Sequence, residues 1–287
     1  MKNRRRVSLL LLLLAVCAQA SADPALWKVQ RDGSTVYLFG TVHVLPKDTR
    51  WHYAALDEAL KASDVLYVEL VDDDQATMQP LVTQYGIDVA HPLSGELNRS
   101  DEQRLQAAAR TAGLPPQVLD VMKPWLAAVT LTVAPIVKAG FDPESGADKQ
   151  LRRDFAATGK PVRGLETAEQ QIRYFADLPA SVEISMLRST LDDYDKAATE
   201  LNALVQDWQQ GDVDAMAALE NSEMREKYPT LYRTLLTDRN QRWAQRIAQM
   251  LQQRGTVFIA VGAAHLAGPD DVQVQLQKAG IIATRMH

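Results

Sequence analysis

Two strand-like segments, one near each end of the chain, finish in the same Gly-x-x-His pattern. The first, TVYLFGTVH, carries Gly40 and His43, and the second, TVFIAVGAAH, carries Gly262 and His265. Runs of β-branched, aromatic and aliphatic residues favour strands, and the continuous apolar run before Gly262 suits burial within a parallel sheet. Each glycine permits a tight turn and a close approach of the backbone. The pattern therefore delivers two metal-capable imidazoles to the ends of two strands.

The segment after His43 places a carboxylate at the same edge of the predicted sheet. A helix over about Tyr53 to Ala62 is followed by the strand DVLYVEL, which carries Glu69. Strand, helix and strand in this order form a right-handed parallel crossover, so both strands end at the carboxyl edge. Open α/β sheets place their sites at that edge. We therefore expect His43, Glu69 and His265 to converge.

The remaining pattern predicts a mixed α/β fold. An N-terminal hairpin turns at Asp32-Gly33, helical segments dominate from about residue 100 to 250, a short strand lies near residues 162–165, and a final strand covers Ile281 to Arg285. These segments predict a central mixed, partly parallel sheet flanked by helices. The helical stretch would be a large insertion within one domain over residues 23–287.

Four further polar residues are candidates for the same site. Asp148 lies in the first turn of a predicted helix, and Glu166 follows the short strand. Arg239 and Asn240 lie on or beside the apolar face of a helix that Asp238 is expected to cap, where a polar residue usually has a partner. Structural alternatives are that Asp148 only compensates the helix dipole and that Arg239 forms a buried ion pair fixing the fold.

The first 22 residues have the composition of a cleavable signal peptide. The basic start MKNRRR precedes the apolar run Val7 to Val16, and small residues allow cleavage after Ala20 or Ala22. The apolar run is too short to span a bilayer comfortably, so we expect export to the periplasm or beyond, with no stable membrane span after cleavage. Cys17 lies in this leader, so the mature chain would contain no thiol for catalysis, metal ligation or disulfides.

Charge argues against nucleic acid as a partner. Removal of the four leader cations from the 31 basic residues leaves 27 against 36 acidic residues, a net charge of −9. A phosphate backbone would be repelled by such a chain. The expected partner is instead a peptide or small-molecule substrate, and the oligomeric state is left open.

Two imidazoles and one carboxylate suit a divalent transition metal. Neutral histidine and glutamate ligands leave coordination positions for water, whose pKa the ion would lower. A lone histidine at a strand end is more often a structural residue, so the prediction depends on the convergence of His43, Glu69 and His265. Neither a Gly-x-Ser-x-Gly elbow nor a phosphate-binding loop occurs in the sequence.

Taken in order, these motifs resemble the TraB/GumN family, which is related to the Tiki metalloproteases and more distantly to ChaN-like and erythromycin-esterase-like proteins. The resemblance rests on LWKV, YLFGTVHVLP, DVLYVEL, GADKQL, GKPVRGLET, DRN with the downstream Trp243, and VGAAHLAGPDDV. It implies a mixed sheet flanked by helices, with both Gly-x-x-His motifs and Glu69 at the active centre. In the Tiki branch, these residues support metal-dependent proteolysis.

The resemblance implies an exported metal-dependent hydrolase, with a peptidase as the leading hypothesis. His43 and His265 would hold Mn, Co or Zn, and Glu69 would be a ligand or the general base. Arg239 or Asn240 would stabilise the oxyanion. Asp148 and Glu166 would support the ligands from behind. Two alternatives are a non-catalytic periplasmic protein that binds a ligand or metal, as an accessory of polysaccharide export or conjugation, and an esterase-like hydrolase.

Overall fold

A β-hairpin opens the described part of the chain, which covers residues 23–286 of this computed structural model. Strand β1 (Leu26–Arg31) pairs antiparallel with β2 (Ser34–Thr41). The turn between them has positive φ angles at Asp32 (48°) and Gly33 (86°), which the predicted Asp-Gly turn requires. The predicted signal peptide, Cys17 and His287 lie outside the described residues.

The strand nearest the centre of the sheet is the last long one in the chain. Six strands are ordered β4-β3-β5-β2-β1-β6, where β3 is Val65–Val68, β4 is Val162–Gly164, β5 is Gly255–Gly262 and β6 is Ala283–Arg285. Strand β5 runs parallel to β2 on one side and to β3 on the other. Strand β6 pairs antiparallel with β1 at the far edge. The predicted fold class is confirmed, including the parallel relation of β2 and β3.

Helices cover both faces of the sheet and form the predicted helical region. Their bounds are α1 Ala54–Ala62, α2 Gln75–Gly86, α3 Leu93–Glu96, α4 Arg99–Ala112, α5 Pro116–Asp120, α6 Pro124–Lys138, α7 Ala147–Ala157, α8 Ala168–Ala176, α9 Ala180–Asp193, α10 Ala197–Gln209, α11 Val213–Met216, α12 Ser222–Lys227, α13 Pro229–Tyr232, α14 Asp238–Met250 and α15 Val272–Lys278. Short 3₁₀ helices cover Pro143–Ser145 and Ala263–Leu266. No helix within residues 23–286 is both long and apolar enough to cross a membrane.

Alternate residues of the central strands supply two separate cores. Phe39 and Phe258 belong to one buried cluster, together with Trp208. Their neighbours Leu38 and Ile259 belong to the other cluster, on the opposite face of the sheet. The period of two is the consequence of the pleat, which sends successive side chains to opposite faces. Both faces are apolar because helices bury each of them.

One local prediction at α14 is wrong. Asp238 does not cap the helix, because a π-helical turn over Arg233–Thr237 runs directly into α14 and Thr237 already has helical backbone angles (φ −58°, ψ −49°). An aspartate that follows threonine resembles a helix start in sequence. Packing of the preceding turn instead continues the helix through this point. The consequence is that Arg239 lies just beyond an irregular turn, a frequent setting for functional side chains.

Candidate functional site

The ends of the parallel strands bring both Gly-x-x-His motifs and Glu69 together. In the parallel pairing of β2 and β5, Thr41 lies opposite Gly262. Strand β3 ends at Val68, one residue before Glu69. A Cβ atom added at Gly262 would lie 3.1 Å from Glu69 Oε1, 3.2 Å from His43 Nε2 and 3.6 Å from His265 Cδ2. Glu69 Oε1 and His43 Nε2 therefore both lie close to the same point and face one small space. Gly262 leaves a small cradle between the three side chains.

The first motif glycine serves the packing of the second motif. A Cβ atom at Gly40 would lie 3.1 Å from the Cα atom of Ala263, which begins the 3₁₀ turn carrying His265. The absence of a side chain at Gly40 thus allows the two strand ends to approach closely. The carbonyl oxygen of Gly40 also accepts a 2.7 Å hydrogen bond from Trp208 Nε1.

Arg239 is the centre of a buried charge cluster. Its Nε donates to Glu166 (2.9 Å), and its Nη2 donates to Glu69 (2.5 Å) and Glu166 (2.7 Å). Its Nη1 contacts the carbonyl oxygen of Leu235 (3.2 Å) and His265 Nε2 (3.0 Å). These contacts use all five N–H groups of the guanidinium. Arg239 therefore holds the other site residues in place, and its predicted contact with an oxyanion stays a prediction.

His265 is held as a neutral imidazole. Asn240 donates from Nδ2 to the carbonyl oxygen of Asp270 (2.8 Å), so its Oδ1 accepts from Nδ1–H of His265 at 2.6 Å. This network assigns the tautomer and leaves His265 Nε2 unprotonated, where Arg239 donates to it. Burial and the positive charge of Arg239 lower the pKa of His265 to about 3. Asn240 is itself buried, and it orients His265 from behind.

Glu69 is ionised despite its burial. Burial by itself would raise its pKa, but the charge of Arg239 and the Gly262 N–H (2.7 Å to Oε1) hold the pKa well below its usual range. The buried cluster of Arg239, Glu69 and Glu166 contains two carboxylates and one guanidinium. It therefore has one more negative than positive charge, which favours an additional cation at the cradle.

His43 and Asp148 form the solvent-facing side of the site. Asp148 Oδ1 lies 3.1 Å from His43 Nδ1, so the Nε2 edge of the ring is directed at the cradle. Helix α7 docks on the end of β2 through the bond from the Ala147 N–H to the Val42 carbonyl oxygen (2.9 Å). A Cβ atom at Gly146 would overlap the carbonyl oxygen of His43. The GAD sequence thus sets Asp148 against the imidazole.

Two residues of α8 complete the site and were not predicted. Gln171 Nε2 contacts Glu166 (3.2 Å) and Glu69 (3.4 Å), and the Tyr174 hydroxyl donates to Glu166 (3.1 Å). Helix α8 starts at Ala168, two residues after Glu166, with Thr167 as its cap. A helix that follows so closely on a carboxylate at a strand end was the sequence signal that could have identified these residues. Residues in the first turns of such a helix face back toward the sheet edge.

The donor chemistry of the cradle fits a divalent ion. His43 Nε2 and Glu69 Oε1 face it, and both are held from behind, by Asp148 and by Arg239 with Gly262. His265 presents its Cδ2 edge to the cradle because its Nε2 is engaged by Arg239. Consistent with that orientation, no three His, Cys, Asp or Glu side chains form a ready coordination shell within residues 23–286. His43 and Glu69 would hold the ion, and the predicted ligand role of His265 stays a prediction, because both its ring nitrogens are engaged, by Arg239 and Asn240.

Comparison with known proteins finds one family and two relatives. The model of the TraB/PrgY/gumN family matches residues 25–285. Two relatives, each named "Uncharacterized protein YbaP", come from Escherichia coli (strain K12) and Shigella flexneri; each is 26% identical over 246 residues, which cover 84% of this chain and 87% of the relative. No solved structure matches the chain. The family match includes every residue of the site.

Proposed function

The chain belongs to the TraB/PrgY/gumN family, and from that premise we propose that it is an exported, divalent-metal-dependent hydrolase, most simply a peptidase. The observation that carries the proposal is the cradle at Gly262, which His43 Nε2 and Glu69 Oε1 both face at the carboxyl edge of the sheet. An ion bound there would act as a Lewis acid toward a carbonyl oxygen and toward water. Mn, Co and Zn all suit these ligands.

Each residue of the chain has a separate task in this proposal. His43 binds the ion and is oriented by Asp148, in the manner of a carboxylate behind a ligating histidine. Glu69 is the anionic ligand, fixed by Arg239 and by the Gly262 N–H. Arg239 and Glu166 keep that carboxylate in one position, which reduces the reorganisation needed on binding.

Manganese binding by the purified mature chain tests the proposal directly. We expect saturable Mn²⁺ binding in calorimetry and a rise in the melting temperature, since a ligand at 100 times its Kd stabilises the folded state by about 2.7 kcal/mol. Hydrolysis of a quenched peptide library should depend on the ion and be lost on chelation. His43→Ala should abolish both.

The matched control is His52→Ala. His52 is also exposed and also paired with an aspartate, Asp57, at 2.8 Å, but it lies outside the cradle. It should retain binding and activity. The absence of metal binding, together with activity unchanged in His43→Ala, would overturn the proposal.

The second candidate is a hydrolase, such as an esterase, that uses His43 and Asp148 as a general-base pair. Their 3.1 Å contact, with Nε2 turned to the cradle, has the geometry of an oriented imidazole base. Activity on esters that persists in chelator and is lost in Asp148→Asn would favour this candidate over the peptidase.

Export is part of the proposal and is supported by the composition of the first 22 residues. We expect the protein in the periplasmic fraction or the medium. N-terminal sequencing of that material should begin at Ser21 or Asp23. A chain beginning at Met1 in the cytoplasmic fraction would contradict export.

A further inference from the structure

The cradle opens into a cleft with an apolar wall. The cleft has a volume of about 440 Å³, and the polar part of its lining includes the site residues His43, Glu69, Asp148 and Gln171. The apolar part of its lining, called the wall below, is formed mainly by Val44, Leu70, Met78, Val133 and Pro143. A group bound in this cleft would thus have one end at the site and an apolar portion against the wall.

Val133 is exposed without an evident structural reason. It lies on α6, and 41% of its surface is accessible to solvent. Single exposed apolar residues are common, but Val133 lines the cleft together with other apolar side chains, and such a lining is typical of a ligand-binding surface. Met78, on α2, approaches the same cleft and is only partly buried. Two helices, α2 and α6, therefore contribute to the wall.

A second, charged cleft adjoins the first. This neighbouring cavity of about 610 Å³ shares Asp73 and Lys149 with the first, so Lys149 of α7 lies between the two. Its lining carries equal numbers of acidic and basic residues, and four of them form ion pairs: Arg152 contacts Asp73 at 2.8 Å, and Lys149 contacts Glu144 at 2.5 Å. Such a balanced surface can accept a neutral polar backbone and does not select strongly for net charge.

We propose, on the basis of the proposed function, that the substrate is an extended peptide whose apolar side chain contacts Val44, Met78 and Val133 beside the cradle while its backbone continues along α7. Because Asp73 and Lys149 line both clefts, a chain that leaves the first cleft on that side would pass into the second. None of the described residues that line these two clefts is Phe, Tyr or Trp. Sugar rings usually stack on such aromatic faces, so the lining favours a peptide over a polysaccharide.

Two aspartate variants on one helix test the role of the wall. Val133→Asp puts a carboxylate in the apolar cleft, whereas Val137→Asp places it one turn later, at a position that is similarly exposed (48%) but does not line the cleft. Quenched peptides of constant flanking sequence would carry Leu, Asp or Lys at each position near the cleaved bond. We expect the wild type to prefer Leu. Val133→Asp should lose about tenfold in kcat/KM for the Leu peptide and gain in kcat/KM for the Lys peptide. Val137→Asp should match the wild type.

Binding measurements separate this inference from the proposed function. Fluorescence anisotropy with labelled, uncleaved peptides of the same set reports affinity whether or not the protein cuts them. Leu-selective binding that Val133→Asp weakens about tenfold, without hydrolysis, would support the apolar subsite and reject the peptidase. Hydrolysis with identical selectivity in wild type and Val133→Asp would retain the peptidase and overturn the subsite. Binding of oligosaccharides in preference to every peptide would also overturn it. Melting curves of both variants confirm that each is folded.

Discussion

At the scale of single residues, the site depends on one arginine that has no spare donor. Arg239 is 8% exposed, and its five N–H groups contact two carboxylates, one imidazole and one carbonyl oxygen. Its guanidinium also lies 4.8 Å from the ring centroid of Trp243. A planar fork with five donors can do this, whereas a lysine ammonium cannot. Of the roles that the sequence allows for Arg239, a buried ion pair that fixes the fold is the one that describes these contacts.

Replacement of Arg239 should destabilise the fold. In Arg239→Met, Glu69 and Glu166 would be buried without their cation, which typically costs about 3–5 kcal/mol. Urea denaturation followed by circular dichroism measures the loss. Arg242→Met removes an exposed cation from the same helix, whose contact with the site is with Tyr174, and it should change stability by less than about 0.5 kcal/mol. Equal losses in both variants would contradict the central role of Arg239.

The site residues that lie at the ends of strands could be predicted from the sequence. His43, Glu69, Glu166 and His265 follow apolar runs, and the parallel topology brings such positions to one edge. Asp148 was predicted only as a supporting candidate, because its contact with His43 joins residues 105 positions apart. Gln171 and Tyr174 were missed because a polar residue on an amphipathic helix has the same pattern whether it faces solvent or a site.

At the scale of elements, the close approach of β2, β3 and β5 leaves no room for a methyl group at the cradle. Gly262→Ala would place Cβ 3.1 Å from Glu69 Oε1 and 3.2 Å from His43 Nε2. We expect at least a tenfold loss of Mn²⁺ affinity, measured by calorimetry, because the methyl group occupies the space of the ion. Gly95→Ala, where a Cβ atom meets nothing within 4 Å, is the control and should bind normally. Unchanged affinity in Gly262→Ala would place the ion elsewhere.

The packing of α9 on α6 predicts a pH dependence far from the site. Glu183 of α9 is buried and accepts a 3.4 Å bond from the Trp125 N–H near the start of α6. Burial raises the pKa of Glu183 from 4.5 to about 7. The folded protein therefore binds this proton more tightly than the unfolded chain, and this contribution to stability is lost as the pH rises from about 4.5 to 7.

Glu183→Gln should remove that dependence. Glutamine retains an acceptor for the Trp125 N–H and carries no charge to bury. We expect the variant to gain stability relative to wild type at pH 8, by on the order of 1 kcal/mol, and to gain less at pH 5. Urea titrations of both proteins at the two pH values provide the comparison. A larger gain at pH 5 would show that the sign is wrong.

At the scale of the whole molecule, the sheet topology followed from the sequence more closely than the helix boundaries did. The Asp-Gly turn and the alternation of apolar residues specify the hairpin and the parallel crossover locally. The central place of β5 has no local signal, since a fully apolar strand fits any interior position. The start of α14 was misplaced because tertiary packing extends the preceding π-helical turn through Asp238.

The last strand joins distant parts of the chain, so its removal should weaken the whole domain. Strand β6 pairs with β1, and Arg285 donates to the Gly211 carbonyl oxygen (2.5 Å) and lies over the Trp27 ring. A chain ending at Ile282 should unfold with a stability lower by about 2 kcal/mol, through the loss of these hydrogen bonds and ring contacts. Arg285→Ala alone should lose less than this. An unaltered melting curve for the shortened chain would contradict a structural role for β6.

The place of β5 between β2 and β3 also determines when the site can exist. A ribosome releases Gly40 and Glu69 long before Gly262, and neither β2 nor β3 can complete its pairing until residues 255–262 have emerged. For most of synthesis, the nascent chain therefore presents unpaired strand edges and separated site residues, a state that chaperones bind and that aggregates readily. A chain that ends before residue 262 therefore has no assembled site, and any activity of this fold must wait until β5 is complete.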